Sequence, residues 1–299
     1  MNARNATIQR IRLLQALGPI KPRASQPRLP KPIPPDAIRL EYFKAIRPQA
    51  CEVPRAALER VKPQILALLQ DELRDRSRAR TDHRLDAGAR ASQALRLVQD
   101  AANRAADAFR PIELTNVARQ FGRRTDAWQK AQLDRQVRAA VQVPYSAIER
   151  PTRDRVPEWT AQNVDLIKTV PERYFGRIQA MVEDAFENGI AADDLAEDFE
   201  DTFDISENNA TRIANDQIGK LAGQVDSDRQ QSLGISKFIW RTVEDERVRE
   251  AHAVLDGQLC SWDDPPVNED TGEQIIPGQD INCRCWPDPY MGDLLDDDD

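Results

Sequence analysis

Apolar residues return at steps of three and four along most of this chain, and that spacing restricts it to helices. Leu58, Val61, Ile65 and Leu69 form one stripe, and Ala91, Leu95, Val98, Ala102 and Ala105 form another. Val117, Phe121, Val137 and Val141 carry the pattern further. Arg and Ala fill much of the space between, so the stripes are narrow and the helices long, exposed and antiparallel. A second helical block follows "VPYSAIERPTRDRVPEW", whose prolines mark an elbow. There Tyr174, Ile178, Met181, Val182, Ala185 and Phe186 share a face, and Gly189 stands where a helix would stop. Ser206 is placed to cap a helix carrying Ala210, Ile213, Ala214, Ile218 and Leu221.

After Gly234 the period changes. "ISKFIWRT" reads as a strand, "VEDERVREAHAVL" as a short helix, and "CRCW" as a second strand ended by Pro287 and Pro289. The expected fold class is mainly α: an elongated helical body with a small α+β C-terminal module, which a zinc ion could clip.

The N-terminal region has different chemistry. Residues 1–50 hold 8 of the 20 prolines and ten Lys/Arg against two acids. "GPIKPRASQPRLPKPIPP" cannot sustain a helix, since each proline removes a donor and restrains its neighbour. An extended basic arm is expected, with Arg10, Arg12, Lys21, Arg23, Arg28 and Lys31 as its contacts to nucleic acid or an acidic partner. The chain as a whole is electrically split. Residues 1–180 hold 34 Lys/Arg against 19 Asp/Glu, and residues 181–299 hold 8 against 31. The basic half suits non-specific contact with nucleic acid. The expected blocks are the arm (1–50), a basic helical region (51–150), a helical lead-in (151–230), the C-terminal module (231–290) and an acidic tail (291–299).

No apolar run is long enough to cross a bilayer, so no membrane partner is expected. Arg10, Arg12 and Gln15 interrupt the run a secretion signal would need, which places synthesis and folding in the cytoplasm.

Four cysteines in a reducing compartment argue against a disulfide framework. Yet Cys283 and Cys285 stand one residue apart, and with His252 and Cys260 they spell H-x7-C-x22-C-x-C. That is a Cys3His ligand set of the kind zinc takes, with Asp245 as an alternative fourth ligand. The competing reading is a pair of small buried thiols beside a histidine bonded to a backbone carbonyl. Arg247, Arg249 and Arg284 are expected to pair with acids such as Asp263, Asp264 or Asp280. No nucleophile elbow, phosphate loop, dinucleotide fingerprint or H-E-x-x-H stands in the chain, and His83 lies among charges. No enzyme is expected.

The stretch from Gly234 onward, "LGISKFIWRTVEDERVREAHAVLDGQ" then "PGQDINCRCWP", resembles the phage Mu F-like minor head proteins, also called phage head morphogenesis proteins. The matching residues are Trp240, Thr242, Asp245, Arg247, Val248, Arg249, His252, Leu255, Gly257, Pro277, Gly278, Cys283, Arg284 and Cys285. With its helical lead-in the resemblance runs over roughly residues 155–290. It implies a minor capsid protein of a tailed phage, located in the virion inside the head. Portal protein and the inner surface of the major capsid protein would be its partners at the portal vertex, with packaged DNA touched during packaging or ejection. Cys260 lies outside the family pattern, which favours Asp245, His252, Cys283 and Cys285 as the adjacent set. The alternative is a metal-dependent hydrolase or toxin-related enzyme using His252 and the C-terminal cysteines.

Overall fold

The computed structural model describes residues 3–16, 29–33, 35–78, 84–268 and 271–295. Helices dominate: α1 (Ala3–Ala16), α2 (Asp36–Arg47), a π-helical turn (Pro48–Glu52), α3 (Val53–Glu59), α4 (Lys62–Arg78), α5 (Arg84–Ala108), α6 (Pro111–Val141), α7 (Tyr145–Ile148), α8 (Val156–Asn188) and α9 (Ala192–Ser232). The C-terminal part adds β1 (Lys237–Arg241), α10 (Glu250–Ala253), β2 (Leu259–Ser261), β3 (Trp286–Pro289) and α11 (Gly292–Leu295). The chain is therefore mainly α with a small antiparallel sheet near its end, as the periodicity predicts. Among the described residues no helix is long and apolar enough to cross a membrane.

The chain forms two compact units, and neither is one contiguous block. One comprises Leu40–Ala118 and Thr160–Ala214; the other comprises Met1–Arg39, Arg119–Trp159 and Asn215–Asp299.

In the first of these, buried Leu58, Ile65 and Leu69 of α3 and α4 meet a stripe of Ala94, Val98, Ala101 and Ala105 on α5. The small residues let the helices approach closely. On α8 and α9, Ile167, Tyr174, Ile178, Val182, Leu195 and Phe199 are buried at helical spacing. Ion pairs flank this core. Glu72 is 3% exposed, and its carboxylate is taken at both oxygens, by Arg76 at 2.8 Å and Arg90 at 3.3 Å. Arg55 lies 4.2 Å over the ring of Phe203 and also reaches Glu200. Gly189 closes α8 with φ of 74°, the left-handed conformation a glycine adopts without a Cβ clash. Ser206 is not a cap. It lies inside α9, its hydroxyl bonded back to the carbonyl of Thr202 at 3.1 Å, and the helix continues through it from Ala192 to Ser232.

The other unit has two apolar clusters. The first joins Ile11 of α1 to Leu133, Val137 and Val141 of α6, Tyr145 and Ile148 of α7, and Met291 and Leu294 around α11. This corrects the expected extended arm at two places. Residues 3–16 are helical because Ile8, Ile11 and Leu14 recur at helical steps and have this cluster to cover. Residues 36–47 are helical too, starting just after Pro35, where a missing N–H costs nothing. Arg10 and Arg12 lie on the exposed side of α1, and exposed Lys31 pairs with Glu244 at 3.0 Å. Lys21, Arg23 and Arg28 fall outside the described residues, as do His83 and the last four aspartates. Of the expected acidic tail, residues 292–295 form α11 instead, since Leu294 has an apolar seat.

The second cluster belongs to the sheet, whose strand order is β2-β1-β3, antiparallel throughout. Phe238 faces Cys260 across one edge and Pro289 across the other, and Trp240 faces Pro287. Alternation along β1 turns Phe238 and Trp240 into the core, where both are fully buried. The second strand is displaced from the expected "CRCW". It begins at Trp286 and contains both Pro287 and Pro289, which an edge strand tolerates because one side of its ladder is unpaired. The expected helix over 243–255 is likewise reduced to α10. The Asp245 carboxylate accepts the Arg247 N–H at 3.0 Å and Thr242 Oγ1 accepts that of Glu244 at 3.3 Å, which holds the preceding residues in turns.

Candidate metal and thiol site

Three elements meet at His252. α10 carries the histidine, β1 presents Trp240 edge-on to its ring at a centroid distance of 5.5 Å, and the segment 277–285 brings the thiols. That segment is seated on α9 by two glycines one helical turn apart. A Cβ on Gly223 would lie 2.7 Å from the Pro277 carbonyl oxygen, and Gly278, at φ of 87°, passes close over the Gly219 carbonyl. Asp216 of α9 then accepts the Asn282 N–H at 2.9 Å. Gly223→Ala is expected to cost about 1–3 kcal/mol, because the obstacle is backbone and cannot swing aside. Urea denaturation measures that loss, and faster alkylation of the thiols should accompany it.

His252 is 2% exposed. Its Nδ1 lies 3.6 Å from Cys283 Sγ and 3.6 Å from Cys285 Sγ, and its Nε2 lies 3.0 Å from Asp280 Oδ2. The three donor atoms Nδ1, Sγ and Sγ all fall within 4.8 Å of one another. The Cys285 backbone N–H points at Cys283 Sγ at 3.4 Å. Hydrogen bonding with Cys283 raises the His252 pKa against the opposing effect of burial, and Asp280 reinforces the rise. The Cys283 thiol is drawn well below the usual thiol range, chiefly by the hydrogen bond from Cys285 and further by His252. Cys285 is pushed up, since it keeps the proton it donates to Cys283 and is itself buried.

The arrangement has two chemical uses. Two sulfurs and one imidazole nitrogen form a soft ligand set. The line Cys283–His252–Asp280 also has the order of a thiol, a base and a group that orients the base.

The structure does not bring Cys260 or Asp245 to this set. Cys260 sits on β2 opposite Phe238, and its thiol points to the Gln258 carbonyl at 3.7 Å. Asp245 is held by both arms of the Arg284 guanidinium, which keeps its carboxyl down at about 2. The expected arginine pairings are thus partly redirected. Arg284 takes Asp245, with Arg247 3.5 Å from the same carboxylate, and Arg249 approaches Asp280 at 3.9 Å. Asp264 instead accepts from Gln274 at 3.1 Å. Thr242 and Gly257 have local roles. The Thr242 N–H donates to Asp256 at 2.8 Å, and the Gly257 N–H donates to the Trp240 carbonyl at 2.8 Å.

Sequence reasoning missed the glycine ledge and Asp280 as the histidine's partner. The Gly219-x3-Gly223 spacing on a helix was the available signal for the first.

The model of a family described as phage Mu protein F like protein matches residues 176–286. Over this segment the chain is similar to that family. The match takes in α9, β1, β2 and all three donor residues, and it lies inside the stretch where the motifs pointed. The chain is also 34% identical over 185 residues to an uncharacterized protein of Haemophilus influenzae (strain ATCC 51907 / DSM 11121 / KW20 / Rd). That alignment covers 61% of this chain and 40% of the relative, so the chain spans well under half of the protein it matches. No solved structure matches the chain.

Proposed function

We propose that this chain is a phage head morphogenesis protein, a minor structural component of the virion. It acts at the portal vertex, where it meets portal protein and the inner face of the capsid, and contacts packaged DNA without sequence preference. The observation that carries this reading is the Mu F-like match over residues 176–286, which takes in α9 and the site around His252. The charge split supports the DNA contact, with 34 basic residues against 19 acidic ones before residue 181.

Disrupting the gene in a producing phage and imaging the particles tests the assembly role. Empty or misassembled heads, with the chain found by mass spectrometry in wild-type particles, are the expected outcome. Normal infectious particles without the chain would reject it. For DNA, gel shifts of the full chain should show binding at low salt that collapses as salt rises, with a slope set by the phosphates neutralised. Absence of binding at low salt would remove the DNA role and leave the assembly role standing.

One observation favours a second reading, a hydrolase or toxin-related enzyme: the alignment of Cys283, His252 and Asp280. On that reading Cys283 is the nucleophile, His252 the base and Asp280 the group that orients it. Turnover of an ester, peptide or nucleotide substrate that Cys283→Ala abolished with the fold intact would decide for it.

A further inference from the structure

We propose that His252 Nδ1 and the Sγ atoms of Cys283 and Cys285 bind one zinc ion, as a fastener between α10 and the segment that follows Gly278. The geometry supplies the argument. Zinc takes sulfur at about 2.3 Å and imidazole nitrogen at about 2.0–2.1 Å in a tetrahedral field, which sets each N···S separation at about 3.5–3.6 Å. Both separations are 3.6 Å. A hydrogen-bonding account fits less well. Nδ1 offers a single lone pair or a single proton, and it stands equally far from two sulfurs. A cation satisfies all three donors at once.

The far side of the ring points the same way. Nε2 lies 3.0 Å from Asp280 Oδ2, so in the neutral ring the Nε2–H donates to the carboxylate and the Nδ1 lone pair faces the thiols. A carboxylate on the second nitrogen of a ligating histidine fixes its tautomer and orientation. Asp280 is itself steadied by Arg249, 3.9 Å away, while Arg249 also donates to the Ile281 carbonyl. The setting gives the ion structural work. Among the described residues the buried cluster around the sheet holds Phe238, Trp240, Trp262, Ile275 and three cysteines, with Leu255 and Ile276 packed against it. A core that small is of the kind metals reinforce. The protein supplies two sulfurs and one nitrogen, and solvent or an external donor completes the fourth position.

The test uses the full chain purified under reducing conditions without chelator. Metal analysis should find one zinc per chain. Replacing it with cobalt should give the intense visible bands of a tetrahedral site, together with thiolate-to-cobalt charge transfer. Cys283→Ser and His252→Gln should each lose the charge-transfer spectrum or reduce it sharply. Cys260→Ser, and Cys51→Ser in the π-helical turn Pro48–Glu52, should keep both the metal and the spectrum, which separates loss of a ligand from general damage to the fold. Asp280→Asn should weaken zinc affinity by roughly 10–100-fold. A chelator should lower the melting temperature of wild type and leave Cys283→Ser unchanged. Metal-free protein that also fails to take up cobalt would overturn the proposal, as would loss of the metal in Cys260→Ser. These outcomes are independent of whether the chain assembles into heads.

Discussion

Trp240→Ala is expected to destabilise the unit that holds the sheet by about 3–5 kcal/mol, the range for removing a large aromatic from a close-packed core. Trp240 is fully buried at the centre of the three-stranded sheet, with strands on both sides of it. Its ring stacks at a tilt on Phe238 at 6.4 Å and meets the His252 ring edge at 5.5 Å. Truncation therefore opens a void beneath the sheet and takes away the wall that holds the imidazole against the thiols. Neighbouring side chains cannot easily close that void, because Pro287 and Pro289 stiffen β3 and the Gly219–Gly223 ledge fixes the segment leading to Cys283. Trp240→Phe keeps an aromatic face there and should cost less than half as much. Denaturant titration followed by the emission of the four remaining tryptophans, Trp128, Trp159, Trp262 and Trp286, checks both. An unchanged midpoint for Trp240→Ala would mean that the sheet is not the core of this unit.

Much of this arrangement was legible from residue spacing, and the exceptions have identifiable causes. The stripes on α4 and α5, the stop at Gly189, the alternation of β1 and the pairing of His252 with a C-x-C all rest on local periodicity or local chemistry. The misreadings come where a local rule met a tertiary partner. Proline density from Pro19 onward made the whole N-terminal region look extended, although Ile8, Ile11 and Leu14 make an adequate stripe once a cluster exists to receive them. Ser206 has the chemistry of a cap, but a hydroxyl can also bond back to the preceding turn and leave the helix running. Prolines ended the predicted strand only because its edge position was invisible. Cys260 joined the ligand list on proximity in the sequence, whereas strand register sets it opposite Phe238 and away from the His252 nitrogen. A further signal went unused. Gln129, Gln132 and Gln136 recur at helical steps on α6 and are all buried, so that face of the helix carries a polar core.

That polar core gives Asp226 a contribution to stability whose pH dependence is opposite to the usual acid-labile one. Asp226 of α9 is 6% exposed, and burial drives its carboxyl from 3.8 up to about 7. Side-chain hydrogen bonds from Gln230 and Gln129 and the nearby charge of Arg229 pull it down, while Asp288 on β3 pushes it up. Asp288 is buried as well, and hydrogen bonds from Arg241, Trp286 and Gln136 only partly offset its own rise. Between roughly pH 4 and pH 7 the unfolded chain therefore ionises at Asp226 while the folded chain stays protonated there. The favourable contribution is complete below the unfolded pKa and is lost as pH climbs through the folded one. At about 1.4 kcal/mol per pKa unit, the loss across that window is on the order of 4 kcal/mol. Asp226→Asn keeps the shape without the ionisation, so the variant should gain on wild type steadily from pH 4.5 to pH 7.5, then hold a constant advantage. Urea midpoints at several pH values measure the difference directly, with the other carboxylates common to both proteins. Parallel curves would show that Asp226 is charged in the folded protein, and that water or a cation reaches the space between α6, α9 and β3.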